Sequence, residues 1–132
     1  MGRVTGIGGV FFKVSDPAAT RAWYERHLGL RCDEYGTSFE WGEDKGRGFT
    51  LWSPFTADTD YFEAPFMINF RVEDLDGLME QLKNDGIEPV SALQVHEYGR
   101  FVQIIDCDGN RVELWEPKDD AYDEMIGDAR TS

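Results

Sequence analysis

The chain contains an internal repeat that limits the folds it can adopt. Residues 12–30, FKVSDPAATRAWYERHLGL, are paralleled by residues 70–87, FRVEDLDGLMEQLKNDGI, with one residue fewer in the second copy. A second pair of matching segments follows, GFTLWSP at 48–54 and RVELWEP at 111–117. A repeat of roughly 60 residues predicts that both halves form the same supersecondary unit.

The first half has the pattern of a strand, a helix and three further strands. Apolar residues alternate through Ile7–Val14, as in a half-buried strand. Ser15-Asp16-Pro17 is a typical helix start, and Gly29 is a typical stop after a helix in which we expect Trp23 and Leu28 to face the sheet. The three strands predicted next are Leu30–Tyr35, Ser38–Gly42 and Phe49–Trp52.

The second half repeats this plan. A strand at Phe66–Val72 precedes a helix that starts at Glu73-Asp74 and carries an apolar stripe at i, i+3, i+4 and i+7. The remaining predicted strands are Glu88–Val95, Phe101–Ile105 and Arg111–Trp115. We therefore expect an α+β fold of two tandem βαβββ modules in a single domain, residues 1–117. Module one covers 5–54, the linker 55–65 and module two 66–117; an acidic tail at 118–132 either forms a short helix near 120–126 or frays.

The last two strands read as a β-hairpin around the turn Asp106–Asn110. Alternation places Val112 and Leu114 on one face, and Arg111, Glu113 and Trp115 on the other. A carboxylate in a strand interior needs a metal, a cation, a ligand or water. Glu113 is therefore the candidate catalytic residue of this sequence.

The composition excludes some partners. The chain has 13 Lys and Arg against 26 Asp and Glu, a formal net charge of −13, so nucleic acid and anionic membranes are unexpected partners. No apolar run reaches transmembrane length, and the two cysteines lack metal-type spacing. These features favour a cytoplasmic protein with free thiols.

The repeat and its motifs resemble the vicinal oxygen chelate superfamily, which includes glyoxalase I, bleomycin-binding proteins, epimerases and extradiol dioxygenases. The motifs that carry the resemblance are the helix starts V-S-D-P and V-E-D-L, W-Y-x-x-x-L-G-L, and D-C-D-G-N-x-V-E-L. The resemblance covers roughly Thr5–Pro117. It implies that the two modules form a curved, barrel-like mixed sheet, and that the chain is a homodimer. It does not fix the function, because this fold supports many chemistries.

Metal-dependent members take ligands from the first and last strands of each half. The matching positions here are Gly9, Thr50, Met67 and Glu113, and only Glu113 has the expected donor. A hard divalent cation needs several nitrogen or oxygen donors. We therefore expect no cofactor, and a divalent metal is disfavoured.

Strand alternation predicts which side chains line the concave face of such a sheet. Aromatic, Met and polar groups together are typical of a pocket for a small organic ligand. Alternatively, Phe11, Trp52 and Trp115 fill the barrel, and Glu113 forms a structural ion pair with Arg111, Arg71 or Lys13. The predicted ligand-binding residues are Phe11, Lys13, Trp52, Met67, Asn69, Arg71, Gln103, Glu113 and Trp115.

Three functions remain open from the sequence. The first is a metal-free protein that binds a small, partly aromatic organic molecule. The second is a metal-dependent lyase, isomerase or dioxygenase. The third is a metal-free enzyme with Glu113 as general base and Lys13 or Arg71 as electrostatic partner.

Overall fold

The computed structural model describes residues 2–28, 30–41, 48–105 and 109–131. Seven strands and three helices are found in these ranges. Four features expected from the sequence lie wholly or partly outside them: the charged, glycine-rich turn at 43–48 before the last strand of the first half, the turn at 106–110, the helix stop at Gly29 and the sheet-facing side chain of Leu28. In chain order the elements are β1 (Arg3–Val14), α1 (Pro17–Leu28), β2 (Thr37–Glu40), β3 (Phe49–Thr56), β4 (Phe66–Glu73), α2 (Leu75–Asn84), β5 (Gln94–His96), β6 (Gly99–Ile105), β7 (Arg111–Pro117) and α3 (Asp119–Ile126).

The strands form one mixed sheet in the order β2-β3-β1-β4-β7-β6-β5. Strand β1 is parallel to β3, and β4 is parallel to β7, so the two halves repeat the same pairing. The halves meet where β1 and β4 pair antiparallel. The predicted α+β fold, a curved mixed sheet built from a repeated unit, is confirmed.

The helices begin where the sequence predicted. The Asp16 carboxylate accepts a hydrogen bond of 3.1 Å from the Ala19 N–H, and Asp74 caps α2 through Gly77. The apolar stripe of α2 packs on the outer face of β4, β6 and β7, which confirms that its i, i+3, i+4 and i+7 spacing marks the buried side of a helix. Trp23 was expected to face the sheet but is 53% exposed, because it lies on the outer side of α1. No helix in the described ranges is long and apolar enough to cross a membrane.

Two predicted strands are wrong or displaced. Leu30–Tyr35 does not form a strand: Asp33 and Gly36 exchange backbone hydrogen bonds of 2.9 and 3.3 Å and close a tight turn. The predicted strand Glu88–Val95 shrinks to β5, at Gln94–His96. Both segments contain apolar side chains in a strand-like pattern. The first forms a turn instead of a strand, and most of the second has an irregular backbone.

The register of β3 departs from the sequence repeat. The FKVSD/FRVED match makes Phe11 equivalent to Asn69, which pairs with Glu113 on β7. The repeat therefore predicts Thr50 opposite Phe11, but Phe11 pairs with Ser53, three residues further along. Side chains alternate between the two faces of a strand, so this odd offset turns Thr50 away from the concave face and brings Ser53 onto it.

The acidic tail forms helix α3, whose Tyr122 and Ile126 are 3% and 5% exposed. Beyond α3, the backbone of Ala129 and Thr131 bonds to Ser38 at 3.2 and 2.8 Å. The tail thus extends the sheet past β2 and covers that edge. Of the two outcomes considered for this segment, the docked helix is the one observed.

Candidate functional site

The concave side of the sheet encloses a cavity of about 530 Å³. Aromatic side chains dominate its walls, and Glu113 is the most buried polar residue of the lining. Helix α3 closes one side through Tyr122 and Ile126, and α1 reaches the rim through Arg21. In the described ranges the eight Phe, Tyr and Trp residues of the lining are Phe11, Tyr35, Phe55 and Tyr61 from the first half and the linker, and Tyr98, Phe101, Trp115 and Tyr122 from the second half and α3; the imidazole of His96 lies beside them.

Glu113 is 1% exposed and is held by three neutral hydrogen-bond donors. Asn69 donates to Oε1 at 2.7 Å, and Gln103 donates to Oε2 at 3.3 Å. The Tyr61 hydroxyl also donates to Oε2. Within the described ranges no basic side chain forms an ion pair with Glu113, so the alternative of a structural ion pair with Arg111, Arg71 or Lys13 is wrong.

The environment of Glu113 changes its acidity. Burial raises the pKa of Glu113, and the hydrogen bonds from Tyr61, Asn69 and Gln103 oppose that rise. The pKa of Tyr61 is also raised, by burial and by the neighbouring charge of Glu113, so Tyr61 stays a hydrogen-bond donor. The pair is a polar centre in apolar surroundings that can accept a hydrogen bond from a ligand.

Close backbone approach fixes the Asn69 side chain. An added Cβ on Gly8 would lie 1.8 Å from the Asn69 Oδ1 atom. Gly8 sits at an irregularity in the β1–β4 register, where Ile7 pairs with Phe70 but Gly9 pairs with Asn69. Gly8 thus makes room for the amide, whose Oδ1 has no hydrogen-bond partner among the described residues.

Seven of the nine predicted ligand-binding residues fall into three groups. Phe11, Glu113 and Trp115 line the cavity. Asn69 and Gln103 lie behind it and position the carboxylate. Met67 packs beneath Phe11 in a buried cluster with Phe62, and the Lys13 ammonium bonds the Glu63 carbonyl at 2.6 Å, so neither lines the cavity.

The prediction that Trp52 and Arg71 line the cavity is wrong. The Trp52 ring lies 5.4 Å from that of Phe12, on the outer face, because the three-residue offset of β3 inverts its side. Arg71 has the expected face but is buried and bonds both oxygens of Asp119 at 2.9 and 2.7 Å. Its guanidinium lies over the rings of Trp41 and Trp115, at 4.7 and 5.4 Å. Arg71 therefore anchors α3 and does not contact the cavity.

The four family ligand positions do not supply a donor set for a metal. Gly9 has no side chain, and an added Cβ would be 2.9 Å from that of Leu51. The Thr50 hydroxyl accepts from Trp41 at 3.0 Å and donates to the Ile7 carbonyl at 3.2 Å. Met67 is buried among apolar side chains. Among the described residues no three His, Cys, Asp or Glu side chains converge on one point.

Several lining residues were missed. Phe101 is two residues from Gln103 on β6 and shares its face, so alternation could have found it. Tyr61 lies in the linker, whose aromatic content was the available signal, and Tyr122 lies in the tail. Ser53 was missed because the repeat gives the wrong β3 register. It occupies the place on β3 that Glu113 occupies on β7.

Comparisons with known proteins agree with this architecture. Residues 6–114 match a family model described as the Glyoxalase/Bleomycin resistance protein/Dioxygenase superfamily. No curated protein was found to match the sequence.

Several solved structures share the fold. The methylmalonyl-CoA epimerase from Mycobacterium tuberculosis is 23% identical, with a TM-score of 0.61 over 86% of this chain and 89% of that one. A variant of the Streptomyces coelicolor methylmalonyl-CoA epimerase, in complex with 2-nitronate-propionyl-CoA, is 14% identical, with a TM-score of 0.69 over 88% and 99%. The Mn(II)-bound glyoxalase from Novosphingobium aromaticivorans is 19% identical, with a TM-score of 0.54 over 88% and 40%. At these identities the likeness shows the fold alone.

Proposed function

The chain belongs to the glyoxalase/bleomycin resistance protein/dioxygenase superfamily, and we propose that it binds a small, partly aromatic organic molecule in its concave cavity without a metal ion. The observation that carries this proposal is the cavity of about 530 Å³, walled by eight aromatic side chains around one buried carboxylate. Pockets for organic ligands have this character, largely apolar with a few placed polar groups.

The walls suit a flat ligand. The rings of Phe101 and Trp115 are stacked with centroids 5.6 Å apart, and Phe55 and Tyr61 are stacked at 5.8 Å on the other side. Rings that are held by their neighbours lose little conformational freedom when a ligand packs on them. Glu113 orients the ligand by accepting a hydrogen bond from it.

The donor set supports a metal-free mode of binding. Both oxygens of Glu113 already accept hydrogen bonds from Tyr61, Asn69 and Gln103, and the other family positions offer a glycine, a buried methionine and an outward threonine. A hard cation needs several oxygen or nitrogen ligands around one point. The metal-dependent alternative lacks such a set at these positions.

One geometric feature favours a second candidate function, a metal-free enzyme. The Glu113 carboxylate has a raised pKa and bonds the Tyr61 hydroxyl at the cavity wall. A carboxylate of raised pKa is suited to take a proton from a bound substrate. The electrostatic partners proposed from the sequence, Lys13 and Arg71, do not line the cavity, and the group beside the base in this candidate is the neutral Tyr61 hydroxyl, which donates a hydrogen bond to Glu113.

A thermal-shift screen of aromatic metabolites and antibiotics tests the proposal, run once in EDTA and once with Mn²⁺, Ni²⁺ or Zn²⁺. A ligand of the folded state raises the apparent stability by about 2.7 kcal/mol at a hundred times its dissociation constant. We expect stabilising compounds in EDTA. Stabilisation that appears only with a metal contradicts the proposal. Turnover of a stabilising compound that Glu113→Gln abolishes favours the enzyme.

The homodimer also stays a proposal. Its support is an apolar strip on the outer face of the central strands, where Val4, Ile7, Phe66 and Ile68 are 37 to 62% exposed. Paired registers place these residues on one face of β1 and β4. Light scattering at micromolar concentration should give twice the chain mass of 15.1 kDa. A mass of one chain contradicts it.

A further inference from the structure

We infer that the cavity selects an organic cation, a protonated or quaternary amine carried on an aromatic body. This inference rests on the proposed function and goes beyond it by naming the charge of the ligand. Three features of the cavity carry it: the balance of charges on its walls, the pairing of the nearby arginines, and the aromatic surfaces themselves.

Acidic groups outnumber basic groups around the cavity. Its charged lining residues in the described ranges are Glu113 at the floor, Asp33 and Glu34 near the mouth, and Arg21 on α1. His96 is the single imidazole of the lining. A cleft with an excess of one sign concentrates ligands of the opposite sign. The whole chain has a formal net charge of −13, which adds to the same field.

The basic groups behind the walls are occupied elsewhere. Arg71 lies beside Trp115, but Asp119 binds its guanidinium through both carboxylate oxygens. Arg111 bonds the Gln103 side-chain oxygen at 2.7 Å and reaches Glu113 only through that amide. Neither arginine lines the cavity. An anionic ligand would therefore meet the Glu113 carboxylate in apolar surroundings with Arg21 as its one arginine contact, at the rim.

The aromatic walls favour a cation for a second reason. The faces of Trp, Tyr and Phe rings carry negative partial charge and attract ammonium groups within about 6 Å of the centroid. The protein already uses this attraction, since Arg71 lies 4.7 and 5.4 Å from the ring centres of Trp41 and Trp115. Within the cavity, rings flank the carboxylate from both halves of the sheet. An ammonium group in this space would have ring faces around it and a negative charge at the floor.

Three probes of similar shape test the inference: phenyltrimethylammonium, its neutral isostere tert-butylbenzene, and benzoate. Isothermal titration or ligand-observed NMR in EDTA measures their affinities. We expect the cation to bind at least tenfold more tightly than the neutral isostere, and benzoate to bind more weakly than both. Equal affinity for the cation and the isostere overturns the inference but leaves the proposed function standing. If none of the three probes binds, the inference is also overturned. The proposed function itself fails only if the wider thermal-shift screen finds no stabilising ring compound in EDTA.

Glu113→Gln separates the carboxylate from the rings. We expect this variant to lose about tenfold in affinity for phenyltrimethylammonium and to keep its affinity for tert-butylbenzene, which also reports that the cavity is intact. Glu124→Gln, an exposed position on α3, removes the same charge at a distance from the lining and should change neither affinity. If Glu113→Gln does not fold, the affinities of the wild-type chain for the cation and for the isostere still decide whether the cavity selects a cation. An unchanged ratio of the two affinities in folded Glu113→Gln contradicts the role given to the carboxylate.

Discussion

The ion pair between Arg71 and Asp119 joins the C-terminal helix to the sheet, and Asp119→Asn is expected to destabilise the protein. The Arg71 side chain is 5% exposed, that of Asp119 is 23% exposed, and the two bond through both carboxylate oxygens. Removing one partner of a buried pair costs about 3–5 kcal/mol because the other charge stays buried. Water reaches the Asp119 side of this pair, so we place the loss of unfolding free energy at about 2–3 kcal/mol.

Urea unfolding followed by tryptophan fluorescence measures this loss, and Trp41 and Trp115 next to Arg71 report on the region. The Arg71→Met background supplies the control, because Asp119→Asn there removes no pair and should cost about 1 kcal/mol or less, the value of a carboxylate in the first turn of a helix. Glu124→Gln on the exposed side of α3 should change stability by about 0.5 kcal/mol at most. An equal loss of unfolding free energy on Asp119→Asn with and without Arg71 would contradict a stabilising pair between these two residues.

Three further outcomes are expected. Burial raises the pKa of Glu113, so between the unfolded and the folded pKa the folded chain holds a proton that the unfolded chain has lost. The unfolding free energy of the wild type, measured relative to Glu113→Gln, should therefore fall as pH rises from about 4.3 through the folded pKa. A rise over this pH range would contradict the raised pKa of Glu113. Gly8→Ala should lower the unfolding free energy by about 1–3 kcal/mol in urea titrations, because its Cβ would overlap the Asn69 amide; an unchanged midpoint would contradict that close approach. Phe55→Ala should weaken binding of ring compounds in isothermal titration whereas Trp52→Ala on the outer face should not, and the reverse order would place the site on the other face.

The sequence predicted the fold because its signals are local and repeated. Helix caps at Asp16 and Asp74 occur in both copies of the repeat, and these caps and the apolar stripe of α2 depend only on neighbours within a few residues. Polar and apolar side chains alternate from Arg111 to Leu114 in β7, so the position of Glu113 on the concave face followed from its own strand. Local patterns of this kind agree with the fold in α2 and in the β6–β7 hairpin.

The site was predicted less completely because it depends on pairing between distant strands. The repeat assigned Thr50 and Trp52 to the concave face, but nothing local fixes how far β3 slides along β1, and an offset of three residues exchanges the faces. The hydrogen-bond partners of Glu113 and Arg71 were also not predicted, because they come from distant parts of the chain. Tyr61 comes from the linker and Asp119 from the tail, segments without a periodic pattern that only tertiary packing brings to the sheet.

Metal-free binding in the concave cavity is tested most directly by following the tryptophan indole N–H signals in ¹⁵N NMR during titration with ring compounds in EDTA. Trp115 lines the cavity, and its Nε1 donates to the Tyr98 carbonyl at 3.3 Å, whereas Trp52 lies on the outer face of the same sheet. We expect a saturable shift of the Trp115 signal and no shift of the Trp52 signal. A Trp115 signal that stays fixed until Mn²⁺, Ni²⁺ or Zn²⁺ is added would contradict metal-free binding in this cavity.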